Sequence, residues 1–160
     1  MTSRERLVSV AERVDPAPPR VSYLVARLDR LLRRWLADVL APFAVSLPEY
    51  TAMSILGRRA GLTNAQLARR TYVSPQAIQQ ITEGLIARGL IVRAPDQRGG
   101  RVLPATLTAA GRDLLARCDA AVDELEERMM NSLRPGARQA LFEALLDCVE
   151  GLKPPVETGD

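Results

Sequence analysis

The chain of 160 residues contains no histidine and only two cysteines. Without histidine it cannot form a Ser-His or Cys-His catalytic pair, a histidine-ligated metal site or the commonest general base. Cys118 and Cys148 lie thirty residues apart, a spacing that matches neither a disulfide framework nor a zinc motif. We therefore predict that the protein is not an enzyme and that it uses no cofactor and no metal.

Long apolar runs and aromatic residues are also scarce. No segment approaches the roughly 18 apolar residues that a membrane span requires, and the N-terminal MTSRERLVSVAERVD lacks the apolar centre of a signal peptide. Aromatic residues make up 4% of the chain, hydrophobic residues 47% and charged residues 26%, which is an ordinary globular balance. These features predict a cytoplasmic protein that does not bind membranes and that buries one core.

Positive charge is concentrated in the middle of the chain. All but one of the 22 basic residues are arginine, the exception being Lys153. Residues 48–107 carry 8 basic and 3 acidic side chains, a net +5, whereas residues 108–153 carry 6 basic and 9 acidic side chains, a net −3. Such asymmetry favours a polyanion as the partner of the middle segment. The alternative interpretation is an ordinary solvated surface.

Capping residues and helical periodicity predict a mainly α-helical chain. The predicted elements are a short helix over residues 2–14, a long helix from Val21 to Leu40, three compact helices that begin at Ser46, Thr63 and Ser74, the strands LIVRA and RVLPATL, and two final helices over about 109–133 and 137–152. Pro104 within the second strand predicts a sheet edge. This order is that of a winged helix-turn-helix, a mainly α fold with a small antiparallel β-wing.

The third compact helix has an unusual outer face. At 100° per residue, Ile78, Thr82 and Leu85 fall on one side. The opposite side carries mainly amides and one acid: Gln76, Gln79, Gln80, Glu83 and Ala87. Surface helices usually carry Lys, Arg and Glu, whereas glutamine can pair with N6 and N7 of adenine in the major groove. The pattern favours a helix that reads DNA bases, and the alternative is a solvated polar face.

The segment between the two strands, RAPDQRGGRVLPATLT, places Asp96, Arg98 and Arg101 around two glycines. A turn requires only residues such as Gly, Asn, Asp or Pro, so the arginines suggest a second role. A narrow minor groove concentrates negative potential and attracts arginine. The alternative is that Asp96 and Arg98 pair only to rigidify the hairpin tip.

The stretch TNAQLARRTYVSPQAIQQITEGLIARGLIVRAPDQRGGRVLPATLTAAG resembles the MarR family of bacterial transcriptional regulators. The matching features are LARR, VS before the third compact helix, L-x-x-R-G-L-I-x-R after it, D-x-R-x-x-R in the wing and LT-x-x-G at the start of the next helix. They lie between Leu47 and Gly111, and the resemblance extends over roughly Val21 to Leu152. The departures are Gly84 in the recognition helix, Gly99 and Gly100 in the wing, and the extra helix before Val21.

The resemblance implies a site for double-stranded DNA. The residues that it places at the major groove are Ser74, Gln76, Ala77, Gln79 and Gln80. It places Arg98 in the minor groove with Asp96 orienting the guanidinium, while Arg101 contacts phosphate or pairs with Asp96. The function that it implies is a transcriptional regulator, most simply a repressor.

The resemblance also implies a homodimer that binds a pseudo-palindromic operator. The corresponding division of the chain is an N-terminal extension (1–20), dimerisation helices (21–45 and 108–152), a DNA-binding lobe (46–107) and a polar tail (153–160). An alternative function is a winged-helix module for protein–protein assembly that has no operator.

In the family a small aromatic or anionic effector binds between the dimerisation helices and the lobe. Trp35, Tyr50 and Met53 are the candidate lining residues here, and the alternative is that they belong to the core. A further alternative is a redox sensor that uses Cys118 or Cys148. Both cysteines, however, lie on apolar helix stripes, where cysteine usually acts as a small hydrophobe.

Overall fold

The computed structural model describes residues 20–71, 73–93 and 104–152. The predicted helix over residues 2–14, the hairpin tip with Asp96, Arg98 and Arg101, and the polar tail lie outside these residues. The division of the chain into an extension, dimerisation helices, a lobe and a tail stays a prediction.

The described residues form six α-helices and a two-stranded sheet. They are α1 (Val21–Leu40), α2 (Leu47–Arg58), α3 (Asn64–Thr71), α4 (Pro75–Ala87), β1 (Ile91–Arg93), β2 (Ala105–Leu107), α5 (Ala109–Met130) and α6 (Ala137–Gly151), with a 3-10 turn at Ala41–Phe43 after α1. This confirms the predicted winged helix-turn-helix, and the two final helices end slightly earlier than the sequence predicts.

Local capping explains where these helices begin. Ser46 and Glu49 form a complete capping box at α2: each side chain bonds the other residue's backbone N–H. Oγ of Ser74 accepts the N–H of Ala77 at 3.2 Å, and Pro75 occupies the first position of α4. Because these bonds join residues three apart, the sequence alone suffices to predict them.

Within the described residues, the sheet pairs three residues of each strand. Strands β1 and β2 are antiparallel, with Ile91 opposite Leu107 and Arg93 opposite Ala105. Strand β2 begins at Ala105, directly after Pro104, whose nitrogen has no hydrogen to donate to a ladder. Ala105 also forms an isolated bridge with Leu62, which ties the sheet to the turn between α2 and α3.

The core lies inside the helix-turn-helix lobe, the described part of residues 46–107, and along one face of α5. Its largest fully buried side chains include Met53, Leu56, Leu67, Ile78 and Leu85. Helix α5 contributes a buried stripe from Gly111 to Leu125. At Gly111 an added Cβ would collide with the carbonyl oxygen of Leu90, so glycine lets α5 start directly against the lobe.

The terminal helices are exposed. Helix α6 has no buried residue, and only Leu40 is buried in α1. Their exposed apolar residues are Val21, Tyr23, Leu24, Val25, Leu28, Leu31 and Trp35 in α1 and Phe142, Leu145, Leu146 and Val149 in α6. Among the described residues no single helix has the length and apolar character of a membrane span. One pair of segments, Val21–Phe43 and Leu47–Arg58, bent by 79°, reaches that length and apolar character only when the two are taken together.

Candidate nucleic-acid interface

Helix α4 has one face in the core and one face in solvent. Ile78, Thr82 and Leu85 are buried, while Gln76, Gln79 and Gln80 are exposed. Nε2 of Gln79 donates to Oε1 of Glu83 at 2.9 Å, one turn further along the same face. The helix therefore presents a row of side-chain amides, which can both donate and accept hydrogen bonds.

The other residues predicted for the major groove lie at the start of this helix. Ser74 is exposed but already caps α4 through its Oγ, and Ala77 is partly buried. Gly84 lies in the same helix, and no described atom comes within 4 Å of a Cβ added there. The structure thus groups Ser74, Gln76, Gln79 and Gln80 on an accessible surface, and their contacts with DNA stay a prediction.

Hydrogen bonds hold α4 against its neighbours near its C-terminal end and in its middle. Near its end, Nη1 of Arg88 lies 3.1 Å from Oε1 of Glu49 at the start of α2. In its middle, Oγ1 of Thr82 donates a hydrogen bond to the carbonyl oxygen of Gln79 at 2.9 Å and accepts one from Nη2 of Arg93 at 3.2 Å. These contacts fix the orientation of the amide face relative to the rest of the lobe.

Arg93 is a functional candidate that the sequence did not reveal. Its Nη2 also donates to Oδ1 of Asn64 at 3.3 Å, so that one guanidinium on β1 bonds both α3 and α4. These partners lie 29 and 11 residues away in the chain. The sequence marked Arg93 only as the last residue of the L-x-x-R-G-L-I-x-R motif and of a short strand, and neither position indicates its partners.

The three residues predicted to line one effector space lie apart. Met53 has no exposed surface and belongs to the core. Tyr50 borders a cavity of about 550 Å³ between α2, β2 and α5, whereas Trp35 borders a separate cavity of about 280 Å³ between α1 and α5. Tyr50 and Trp35 therefore border two different cavities, and Met53 borders neither of them.

The Tyr50 cavity is polar and rich in carboxylates. The hydroxyl of Tyr50 donates to Oδ1 of Asp119 at 2.8 Å. Burial, followed by the hydrogen bond with Asp119, raises the pKa of Tyr50 to about 12. The phenol therefore stays protonated at neutral pH and remains a donor. Besides Asp119, the charged residues that line this cavity are Arg58, Arg112, Asp123 and Glu126.

The Trp35 cavity has a different character. Its walls are formed mainly by aliphatic side chains, which are Leu28, Leu31, Leu32, Leu125 and Met129. The guanidinium carbon of Arg128 lies 5.2 Å from the centre of the Trp35 ring, a distance typical of a cation–π contact. This cavity combines an apolar wall with one cation, a combination that suits an aromatic ring bearing an acid group.

The cysteines do not form a disulfide. Cys118 is buried in α5 and Cys148 is exposed on α6, and both are free. Burial raises the pKa of the Cys118 thiol, which leaves less of the reactive thiolate at neutral pH. The described residues also contain no group of three or more acidic or cysteine side chains placed to hold a metal ion.

Three short helices, the last of which presents the exposed amide face, and a two-stranded sheet define a winged helix-turn-helix protein. A sequence model of the MarR family matches residues 45–102. The chain is 35% identical over 133 residues to the HTH-type transcriptional repressor Rv2887 of Mycobacterium tuberculosis, a match that covers 83% of this chain and 94% of Rv2887. The chain therefore belongs to the MarR family of transcriptional regulators.

Solved structures agree with this assignment. The Rv2887 complex with DNA has a TM-score of 0.69 and 32% identity, covering 82% of this chain and 98% of that one. The Rv2887 complex with salicylic acid has a TM-score of 0.66 and 35% identity, covering 84% and 98%. A MarR family regulator from Silicibacter pomeroyi has a TM-score of 0.72 and 25% identity, covering 82% and 89%.

Proposed function

We propose that the protein is a homodimeric transcriptional repressor that binds a pseudo-palindromic operator through α4 and is released by a small aromatic effector. The observation that carries the proposal is the accessible face of α4, on which Gln76, Gln79 and Gln80 are exposed opposite the buried Ile78 and Leu85. The Rv2887 complex with DNA, which shares this fold, supports the same partner. Such a regulator acts in the cytoplasm and catalyses no reaction.

Helix α4 is the recognition helix in this proposal. The glutamine amides bond base edges in the major groove, where adenine offers N7 as an acceptor and N6 as a donor. Gln79 exchanges its bond with Glu83 for one with a base. Exposed arginines of the lobe, such as Arg69 and Arg70 on α3, supply positive charge to meet the phosphates.

The wing contributes the second contact. By the family resemblance, Arg98 enters the minor groove, Asp96 orients its guanidinium and Arg101 meets a phosphate or pairs with Asp96. Support comes from the position of β1 and β2, which immediately precede and follow residues 94–104. Strand β1 packs against α4, and its Arg93 bonds Asn64 of α3. The wing arginine adds sequence preference because A·T-rich minor grooves are narrow.

The dimer is formed by the terminal helices. Exposed apolar residues on α1 and α6, among them Leu24, Leu31, Phe142 and Leu145, leave a surface that one chain does not cover. Contiguous apolar surface of this kind marks an interface. A twofold dimer places two recognition helices about 34 Å apart, which matches successive major grooves on one side of the duplex.

The effector is a small aromatic acid in the Trp35 cavity. Its ring packs on the leucines of α1 and α5 and its carboxylate meets Arg128. The Rv2887 complexes with salicylic acid and p-aminosalicylic acid support this ligand class. The Tyr50 cavity, with Asp119, Asp123 and Glu126, is the less suitable site for an anion.

A gel-shift assay on the promoter beside the protein's own gene tests the proposal. We expect one shifted complex at nanomolar protein, an affinity that falls with added salt, and release when salicylic acid is added. The control duplex has the same composition in scrambled order. Equal binding to the promoter and the scrambled duplex would contradict an operator and favour the assembly module.

A further inference from the structure

Arg93 connects the wing strand to the recognition helix from inside the lobe. It is the last residue of β1, and residues 94–103 follow it directly in the chain. Its Nη2 reaches Thr82 in α4 and Asn64 in α3 at 3.2 and 3.3 Å. A single side chain of β1 therefore bonds two other elements, α3 and α4, and all three contribute to the proposed DNA-binding surface.

Thr82 extends this connection to the backbone of α4. Its side chain has no exposed surface, and its hydroxyl carries one proton, which it donates to the carbonyl oxygen of Gln79. The hydroxyl oxygen remains free to accept from Arg93. The chain of bonds thus ends at the backbone of a residue that presents its own side chain on the exposed amide face.

The described acceptors of Arg93, which are Thr82 and Asn64, are both neutral, whereas buried charges in proteins are usually paired. The described ion pairs involve Arg33, Arg88 and Arg138 and none involves Arg93. Its Nε is buried and bonds no described group. Burying the guanidinium removes a charge from water, which costs free energy, whereas an apolar side chain would fill the same space without that cost. The guanidinium, in contrast, is a rigid planar group with several N–H donors, so its bonds to Asn64 and Thr82 fix the orientation of these two residues relative to β1.

We propose that Arg93 is a positioning residue for DNA recognition: through Thr82 and Asn64 it sets the orientation of α4 relative to the wing strand. Helix and wing then fit the two grooves of one site at the same time. Arg93 touches no base in this arrangement. The proposal rests on the function proposed above, since it concerns how the same surface is held in place.

The test compares variants on duplexes selected from a random pool by the wild-type protein. Thr82→Val removes the hydroxyl without changing the charge, and Thr82→Ser keeps the hydroxyl. Arg93→Gln removes the guanidinium. Arg134→Gln, in the exposed turn between α5 and α6, is the matched control for loss of one positive charge. Each dissociation constant is measured on the selected duplex and on a scrambled one, at a temperature where circular dichroism shows every variant folded.

We expect Thr82→Val and Arg93→Gln to reduce the ratio of specific to non-specific affinity about tenfold, while Thr82→Ser and Arg134→Gln keep the wild-type ratio. Gln80→Ala should cost specificity in the wild type and add little in Thr82→Val, because coupled residues are not additive. A lower melting temperature with an unchanged ratio would show that the network is only structural. Failure of the wild type to enrich any sequence would instead overturn the proposed function, and this inference with it.

Discussion

The helix-turn-helix lobe and the terminal helices use their apolar residues in opposite ways. In the lobe, Met53, Leu67 and Leu85 have no exposed surface. In the terminal helices, Trp35 is 44% exposed and Leu145 is 41% exposed, although both lie among other apolar side chains. One chain therefore completes the core of its lobe, whereas its long helices leave exposed the apolar surface that we assign to the dimer. Four predictions test this difference, in order of decreasing effect.

Leu145→Asp should have the largest effect because it places a charge on the surface that we assign to the dimer, where burial without a partner is costly. We expect monomers in sedimentation experiments at micromolar concentration and loss of operator binding. Met53→Ala, inside the lobe, is the contrasting variant: it should lower stability by about 2–5 kcal/mol and still sediment as a dimer. A stable wild-type monomer at the same concentration would remove the distinction between the two regions.

Gln80→Ala tests the exposed side of the lobe. The change removes an exposed amide from α4 and leaves the core intact. We expect a loss of about 1–3 kcal/mol on the operator and little loss on random DNA, because base contacts carry the sequence preference. Titrations of both duplexes measure the difference, and an equal loss on the two would show that Gln80 does not read bases.

Arg98→Ala tests the wing. If the guanidinium enters the minor groove, binding should weaken and the slope of log affinity against log salt should become shallower by about 1, with fold and dimer unchanged. The loss should be larger over A·T than over G·C pairs, and Asp96→Asn should give a milder defect. Salt titrations on two operators that differ only under the wing decide this. If Arg98→Ala binds both operators as tightly as the wild type, the wing has only a structural role.

Tyr50→Phe tests the junction between the two regions and should have the smallest effect at neutral pH. The pKa of Tyr50 is raised from 10 to about 12, so its protonated phenol favours the folded state below pH 10 and this contribution is lost as the pH rises toward 12. Ultraviolet titration of the wild type should show a late phase of tyrosine ionisation, which Tyr50→Phe should remove. If this phase persists in Tyr50→Phe, the late tyrosine is another residue.

Local signals explain why so much of the fold was predictable. Ser46, Ser74 and Thr108 bond backbone groups three residues away, so the starts of α2, α4 and α5 follow from short stretches of sequence. The amide face of α4 follows from helical periodicity in the same way.

Contacts between distant residues explain what was not predictable. Arg93 meets Asn64 from 29 residues away, and Tyr50 meets Asp119 from 69 residues away. No spacing rule indicates such pairs, because the packing of whole elements brings them together. For the same reason the sequence grouped Trp35, Tyr50 and Met53 in one effector space, whereas packing places them in two cavities and the core.

Thr108 directly follows β2 and is the N-cap of α5. Its Oγ1 donates to the carbonyl oxygen of Gly89 at 2.7 Å while accepting the N–H of Gly111. Strand β2 ends at Leu107 and α5 begins at Ala109, so no slack residue separates them. Helix α5, about 33 Å long, is therefore anchored to the lobe at its first turn. We expect that a tilt of its far end, acting as a lever, also rotates the lobe and the exposed face of α4.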